Sequence, residues 1–247
     1  MGDLLELTGL AEATHFWFRG FRSFVRPVIH DIAAGRTGLR MIDCGCGTGN
    51  NLSLLRPYGT AFGFDLVQEG VQRAAASGWS PVRADIEHIP YLPDTFDIAT
   101  SFDVLVSVPD DRLAVREIAR ILKPGGYAVF NVSALDILRA DHAEVWNELR
   151  RYTPARAARL VEQAGLEVVR VSFLFASLFP LMMSVRMLQR LRRPFRVPTG
   201  DAELTVPPAP INDALTWLVE KEAALSRRFP SVSMPIGSSL LIVARKR

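Results

Sequence analysis

Cysteine is scarce in this 247-residue chain, which holds two, Cys44 and Cys46. With one residue between them they are too close for an unstrained disulfide and too few for a structural zinc, so a reduced, intracellular setting is expected. Charge of one sign is scarce as well. Lys plus Arg number 29 against 26 Asp plus Glu, and the net +3 is too small to argue a nucleic-acid partner. The four histidines, His15, His30, His88 and His142, show no metal-ligand spacing. No apolar run reaches the roughly 18 residues of a membrane span. The opening MGDLLELTGL lacks a basic stretch followed by an apolar one, so no secretory signal is expected. Repeats and low-complexity segments are missing too. What is present, 49% hydrophobic and 22% charged residues, is ordinary globular material. The length suits one large α/β domain with insertions, in the cytoplasm.

An aromatic, basic stretch, His15-Phe16-Trp17-Phe18-Arg19-Gly20-Phe21-Arg22, opens a helix predicted to run into the low thirties. Strand and helix then alternate. Strands are predicted at Leu39–Cys44, Thr60–Phe64, Pro81–Ala84, Phe96–Phe102, Tyr127–Val132, Leu166–Phe173 and Ser238–Ala244. Helices are predicted at Asn51–Arg56, Val67–Ala76, Asp110–Leu122 and Thr153–Ala164, the last with Thr153 as N-cap and Pro154 at N1. Lys123-Pro124-Gly125-Gly126 reads as a turn. A long insertion, Phe175 to Pro235, carries helices near Phe179–Leu191 and Ile211–Arg227. Such alternation argues for an α/β fold, an open, mostly parallel sheet with helices on both faces. Ligands bind such sheets beyond the carboxyl ends of the strands.

Acids sit at three of those ends. Asp43 precedes the run Gly45-Cys46-Gly47-Thr48-Gly49-Asn50, whose glycines allow a sharp turn and close approach to a ligand. The loop departs from the G-x-G-x-x-G dinucleotide spacing and lacks a P-loop lysine, and Asp43 beside it repels anions. A ligand with a positive centre fits better. Asp65, 22 residues on, can accept from two vicinal ribose hydroxyls. Asp85 can take an adenine amine, with Ile86 against the ring. Each acid alone reads equally well as a turn cap; together, in register with the glycine loop, they point to adenosine.

These motifs resemble the class I S-adenosylmethionine-dependent methyltransferases, of the bacterial type 11/12 group. The resemblance covers Leu39 to Phe173 and the last strand. It includes Ile42–Gly49, Gly63-Phe64-Asp65, Ala84-Asp85-Ile86, Phe96–Leu105, Leu122–Tyr127 and Ala164-Gly165-Leu166, with His15–Arg19 similar to a motif that precedes the domain in some members. It implies a Rossmann-like sheet of seven strands, the last antiparallel with a helical cap insertion before it. The corresponding boundaries are an N-terminal helical cap at 1–38, a donor-binding core at 39–174, a helical lid at 175–234 and a final core strand at 235–247. It also implies S-adenosylmethionine as donor and S-adenosylhomocysteine as product. Asp43, Gly45, Cys46, Gly47, Gly49 and Asn50 would hold the donor's methionine part, Asp65 and Leu66 the ribose, Asp85 and Ile86 the adenine. Ser101 and Phe102 would face the transferring methyl. Where many members read Glu-His, this chain has Val106-Ser107, which argues against a metal.

The resemblance further implies that the N-terminal helix closes over the donor, which makes His15 the histidine best placed as a general base, with packing of its helix as the alternative. Phe16 and Trp17 could enclose sulfonium and substrate, Arg19 and Arg22 could meet an anionic group, and Ser107 a substrate. His142, with Asp141, is a weaker candidate. Phe175, Phe179, Met182 and Met183, with the helix around Trp217, would wall a small or lipid-like acceptor. The uncharged stretch Val171–Val185 and the basic cluster Arg186, Arg190, Arg192, Arg193 and Arg196 leave two readings open. One is a cap over a pocket or dimer interface, the other an amphipathic element in peripheral contact with a membrane. O-methylation is the expected reaction, by a monomer or homodimer. N- or C-methylation and a non-catalytic binding module that retains the fold are the alternatives, and aminopropyl transfer lacks the further acids it would call for.

Overall fold

The computed structural model describes residues 12–139, 143, 147–192, 205–229 and 234–247. Asp141, His142, Arg193 and Arg196 lie outside them. Seven strands form one sheet: β1 (Leu39–Cys44), β2 (Gly59–Asp65), β3 (Val82–Arg83), β4 (Phe96–Phe102), β5 (Leu122–Ser133), β6 (Leu166–Leu174) and β7 (Ser239–Lys246). Their order is β3-β2-β1-β4-β5-β7-β6. All pairs from β3 to β5 are parallel, and β7 runs antiparallel to both neighbours. The sheet reverses direction from β1, reaching β2 on one side and β4 on the other, so the carboxyl ends of β1 and β4 flank a switch point.

The helices are α1 (Phe16–Ala33), α2 (Leu52–Leu55), α3 (Gln68–Ala76), α4 (Asp111–Ile121), α5 (Pro154–Gln163), α6 (Phe179–Arg192) and α7 (Ala209–Arg228). The apolar central strands are covered on both faces, as a parallel sheet requires. One core gathers Ile42, Phe64, Phe96, Phe130 and Ile242 with Val115, Ile118, Leu160 and Val161 of α4 and α5. The other gathers Met41, Ile98, Val129 and Leu241 with Phe21, Val25 and Ile29 of α1 and Val219 of α7. Thr153 caps α5 by accepting from the Arg156 amide at 3.3 Å, with Pro154 at the first helical position.

Three local expectations differ. The third strand is only two residues long. Lys123–Gly126 is not a turn: β5 runs through it with an irregular register against β4, and Gly125 takes a φ of 78° there. Pro124 is exposed, and the register passes from Phe96–Leu122 to Ile98–Tyr127, so the four residues form a bulge in the strand. Phe175, expected to wall a substrate, is fully buried instead. It stacks on Trp17 with ring centroids 3.9 Å apart and meets Phe24 edge-on. Its φ of 61° is rare for an aromatic residue, and the packing of both rings holds it.

The chain on either side of the sheet meets at α1 and α7. A Cβ on Gly20 would come within 2.4 Å of Val219, so the glycine is what lets the two helices approach. Asn212 accepts from the Phe16 amide at 2.8 Å and donates to the Thr14 carbonyl at 2.9 Å, while Glu222 accepts from the amides of Ala176 and Ser177. Among the described residues no helix is long and apolar enough to cross a membrane.

Candidate active site

The glycine loop is built on β1. Gly45 and Cys46 both donate to the Phe64 carbonyl of β2 at 2.9 Å, which folds the chain back over the strand end. Gly45, Gly47 and Gly49 have φ values of 86°, 52° and 85°, in the left-handed region that glycine occupies without strain. They differ in surroundings. A Cβ on Gly45 would strike Val104 at 2.3 Å and one on Gly49 would strike Trp79 at 2.9 Å, but one on Gly47 would meet nothing within 4 Å among the described residues. The backbone at Gly47 therefore borders open space that a ligand can enter.

Asp65 lines that opening. One carboxylate oxygen accepts from the Gly47 amide at 2.8 Å and the other from the Val67 amide at 2.9 Å, which fixes the group at the mouth of the loop. Asp85 forms the equivalent turn one strand further, accepting from the Glu87 amide at 2.9 Å. Asp43 is different, being 1% exposed with Oδ1 accepting from the Thr100 hydroxyl at 2.6 Å. Burial pushes its carboxyl up to about 7, against the Thr100 bond, and the charges of Asp65 and Glu12 push the same way. Ser101, at the end of β4, has a buried hydroxyl with no hydrogen-bond partner among the described residues, and Phe102 meets Phe21 of α1 edge-on at 5.0 Å.

Several expected site residues are thus gathered at one end of β1, β2 and β4, namely Asp43, Gly47, Asp65, Ser101 and Phe102. Leu66 is 58% exposed beside Asp65, whereas Ile86 is packed in the core, so Leu66 is the apolar side chain standing free there. Cys46 is buried against Gly63, and burial pushes both thiols up, leaving them protonated packing groups. Asn50 donates to Thr48 at 3.2 Å and also to Glu12, whose carboxylate accepts from the Thr48 hydroxyl at 3.0 Å. Glu12 was not singled out in the sequence, where one acid in an acidic opening segment carries no signal. Its position against the glycine loop emerges only from the fold.

His15 caps α1. Its Nδ1 accepts from the Trp17 amide at 3.1 Å, its ring lies against Phe16 and Phe18, it is 6% exposed, and burial lowers its pKa. Trp17 is committed to Phe175, and Arg19 pairs with Asp213 of α7 at 3.1 Å. Phe179, Met182 and Met183 of α6 are half-buried, and Trp217 is exposed with Lys221 over its ring. Ser107 sits in the turn after β4, its amide bonded to the Val104 carbonyl at 3.0 Å. Among the described residues no three His, Cys, Asp or Glu side chains cluster closely enough to hold a metal.

One acid that the sequence did not single out stands among these residues. Asp103 follows Phe102 directly with a φ of 59°, donates its amide to the Asn131 carbonyl at 2.9 Å and accepts from the Asn131 side chain at 2.8 Å. Asp103 is exposed, so solvent offsets part of the upward push that the dense protein around its carboxyl exerts.

Comparison with known proteins bears on what this arrangement does. Residues 17–171 match a family model described as a methyltransferase domain. A ubiquinone biosynthesis O-methyltransferase of Aeromonas salmonicida is 30% identical over 197 residues, 67% of this chain and 82% of that protein. Two solved structures share the fold. A SAM-dependent methyltransferase of Thermotoga maritima has a TM-score of 0.60 at 17% identity, covering 99% of this chain and 96% of its own. An S-adenosylmethionine-dependent methyltransferase of Mesorhizobium loti has a TM-score of 0.58 at 20% identity, covering 89% and 96%.

Proposed function

The chain belongs to the class I S-adenosylmethionine-dependent methyltransferases, and on that premise we propose that it transfers the methyl group to a hydroxyl oxygen of a small or lipid-like acceptor. When bound, S-adenosylmethionine supplies an electrophilic methyl on a sulfonium. The open space at Gly47, bordered by Asp65 and backed by Asp43, is the observation that carries the donor placement. Asp65 accepts from the ribose hydroxyls with the lone pairs left over from its two amide bonds. Asp85 takes the adenine amine, with Leu66 at the edge of the ring. The glycine loop and Asp43 hold the methionine part, with Glu12 adding a second carboxylate for its ammonium group. Arg22, whose charge lies near that of Glu12, faces the donor carboxylate. The chain's task is then alignment of nucleophile, methyl and sulfur, which contributes ~7–11 kcal/mol when the geometry is fixed.

The relative named for O-methylation supports oxygen as the acceptor atom. The half-buried Phe179 and Met183 on α6 support an apolar acceptor. The test is calorimetric titration of the purified protein with S-adenosylmethionine, S-adenosylhomocysteine and NAD, followed by an acceptor screen weighted to phenols and other apolar alcohols. Binding of the first two and not NAD is expected. Binding of none removes the enzyme reading and leaves a fold-retaining binding module.

A further inference from the structure

Removing a proton from a hydroxyl acceptor calls for a group that lies at the transfer site, is open to a ligand and titrates near neutrality. His15 meets the second of these poorly, because its Nδ1 is occupied in capping α1 and the ring is buried. Asp103 meets the first two on geometry, and the protein around its carboxyl raises its pKa toward the third. It lies three residues past Thr100, whose hydroxyl holds Asp43, and two past Ser101, whose buried hydroxyl has no partner among the described residues. The next residue, Val104, fills the space beside Gly45, so the chain at Asp103 runs directly against the glycine loop. Backbone and side-chain bonds to the single residue Asn131 fix the carboxylate. They engage Oδ2, and among the described residues nothing is bonded to Oδ1.

The support behind Asp103 is rigid. Arg150 donates to the carbonyls of Leu105, Val108 and Pro109, and the Tyr152 hydroxyl donates to Leu105 as well as to Asp111. The loop carrying Asp103 is therefore anchored by side chains from the segment that leads into α5. The φ of 59° at Asp103 is a conformation that aspartate tolerates better than most residues.

We propose that Asp103 is the general base of methyl transfer, taking the proton of the acceptor hydroxyl on Oδ1. The step balances as follows: the acceptor O–H bond breaks and its proton passes to Asp103. The freed oxygen pair forms the O–CH3 bond, the methyl–sulfur bond breaks, and its electron pair stays on sulfur. Asp103 then releases one proton to solvent. This assignment rests on the hydroxyl-acceptor reading above and implies an acceptor of phenol or catechol acidity, since a carboxylate is too weak a base for an aliphatic alcohol without a metal. The groups facing Asp103 are Asn131 on β5, which favours the ionised form by donating, and the Glu148–Arg151 ion pair, whose charges act in opposite directions.

The test combines a titration and a rate. In ligand-free protein carrying 13C-labelled aspartate, two carboxyl resonances should titrate well above the ordinary aspartate range. One should vanish in Asp103→Asn and the other in Asp43→Asn. With 3,4-dihydroxybenzoate as probe, transfer by the wild type should rise about tenfold per pH unit below the Asp103 midpoint. Asp103→Asn should transfer at least ~100-fold more slowly and lose that limb, with S-adenosylhomocysteine affinity within about twofold of wild type. Asp103→Glu, which keeps the carboxylate, should recover part of the rate. An Asp103→Asn protein that keeps the rate or the limb, or keeps both resonances, overturns the assignment while leaving the donor site standing. A wild type that binds S-adenosylhomocysteine and methylates no phenol removes the hydroxyl-acceptor reading instead.

Discussion

Two aspartates stand at the carboxyl ends of neighbouring strands, Asp43 on β1 and Asp103 just beyond β4, and dense protein pushes both upward, Asp43 to about 7. Their surroundings set them apart. Asp43 is sealed beneath the glycine loop and bonded to Thr100, with no path for a proton to an incoming molecule. Asp103 is open to solvent and held from one side only, by Asn131. The difference teaches that the setting of a carboxyl decides what it can do: sealed, Asp43 is held in the fold's own hydrogen bonds, and open, Asp103 can exchange with solvent.

The largest effect expected on the sealed side comes from Gly47→Val. A branched side chain at a φ of 52° is strained by ~1–3 kcal/mol and would occupy the open space beside Asp65. S-adenosylhomocysteine binding should become undetectable by calorimetry, and near-wild-type binding would show that the ligand lies elsewhere. Asp43→Asn should weaken that binding by ~10–150-fold, the worth of a charged hydrogen bond of ~1.5–3 kcal/mol. The same substitution sharpens the comparison through stability. The folded protein holds Asp43 above the ~3.9 of an unfolded aspartate, so the native state carries the extra proton between about pH 4 and 7. Wild-type stability therefore falls as pH rises through that window, and the penalty is absent below about pH 4. Asp43→Asn keeps an oxygen for Thr100 and should be the more stable protein at pH 8, by up to ~4 kcal/mol, with no gain near pH 4. Denaturant unfolding at both pH values checks this, and a gain that persists at pH 4 would refute the assignment to Asp43. Away from the cleft, Gly20→Ala should cost ~1–3 kcal/mol by pushing α7 off α1 through Val219. Trp217→Ala, on the exposed face of α7, should change stability by less than ~0.5 kcal/mol.

The strand alternation and the acids at the ends of β1 and β2 were legible because each is written in a contiguous stretch, while the antiparallel last strand came only with the family resemblance. Asp103 was not legible, although it sits inside a quoted motif. Its character comes from Asn131, 28 residues on, and from the Glu148–Arg151 pair, and no local spacing encodes those neighbours. Phe175 was misread for a related reason. An aromatic residue at the start of an apolar insertion looks like a pocket wall, and only the stacking of Trp17, more than 150 residues earlier, draws it into the core. His15 reads in sequence as a titratable group, and the helix that begins one residue later turns it into a cap.

The position of β7 has a consequence for how the molecule assembles. β7 follows β6 in sequence but lies between β5 and β6, so β6 has no neighbour in the sheet until β7 is in place. A nascent chain interrupted before Ser239 presents two unpaired edges at once, those of β5 and β6, and such edges invite pairing with other chains. The closing of that gap joins segments more than 100 residues apart, the slowest kind of contact to form. Folding of this sheet is thus completed from its interior, and a chaperone that shields β5 and β6 would act during that interval.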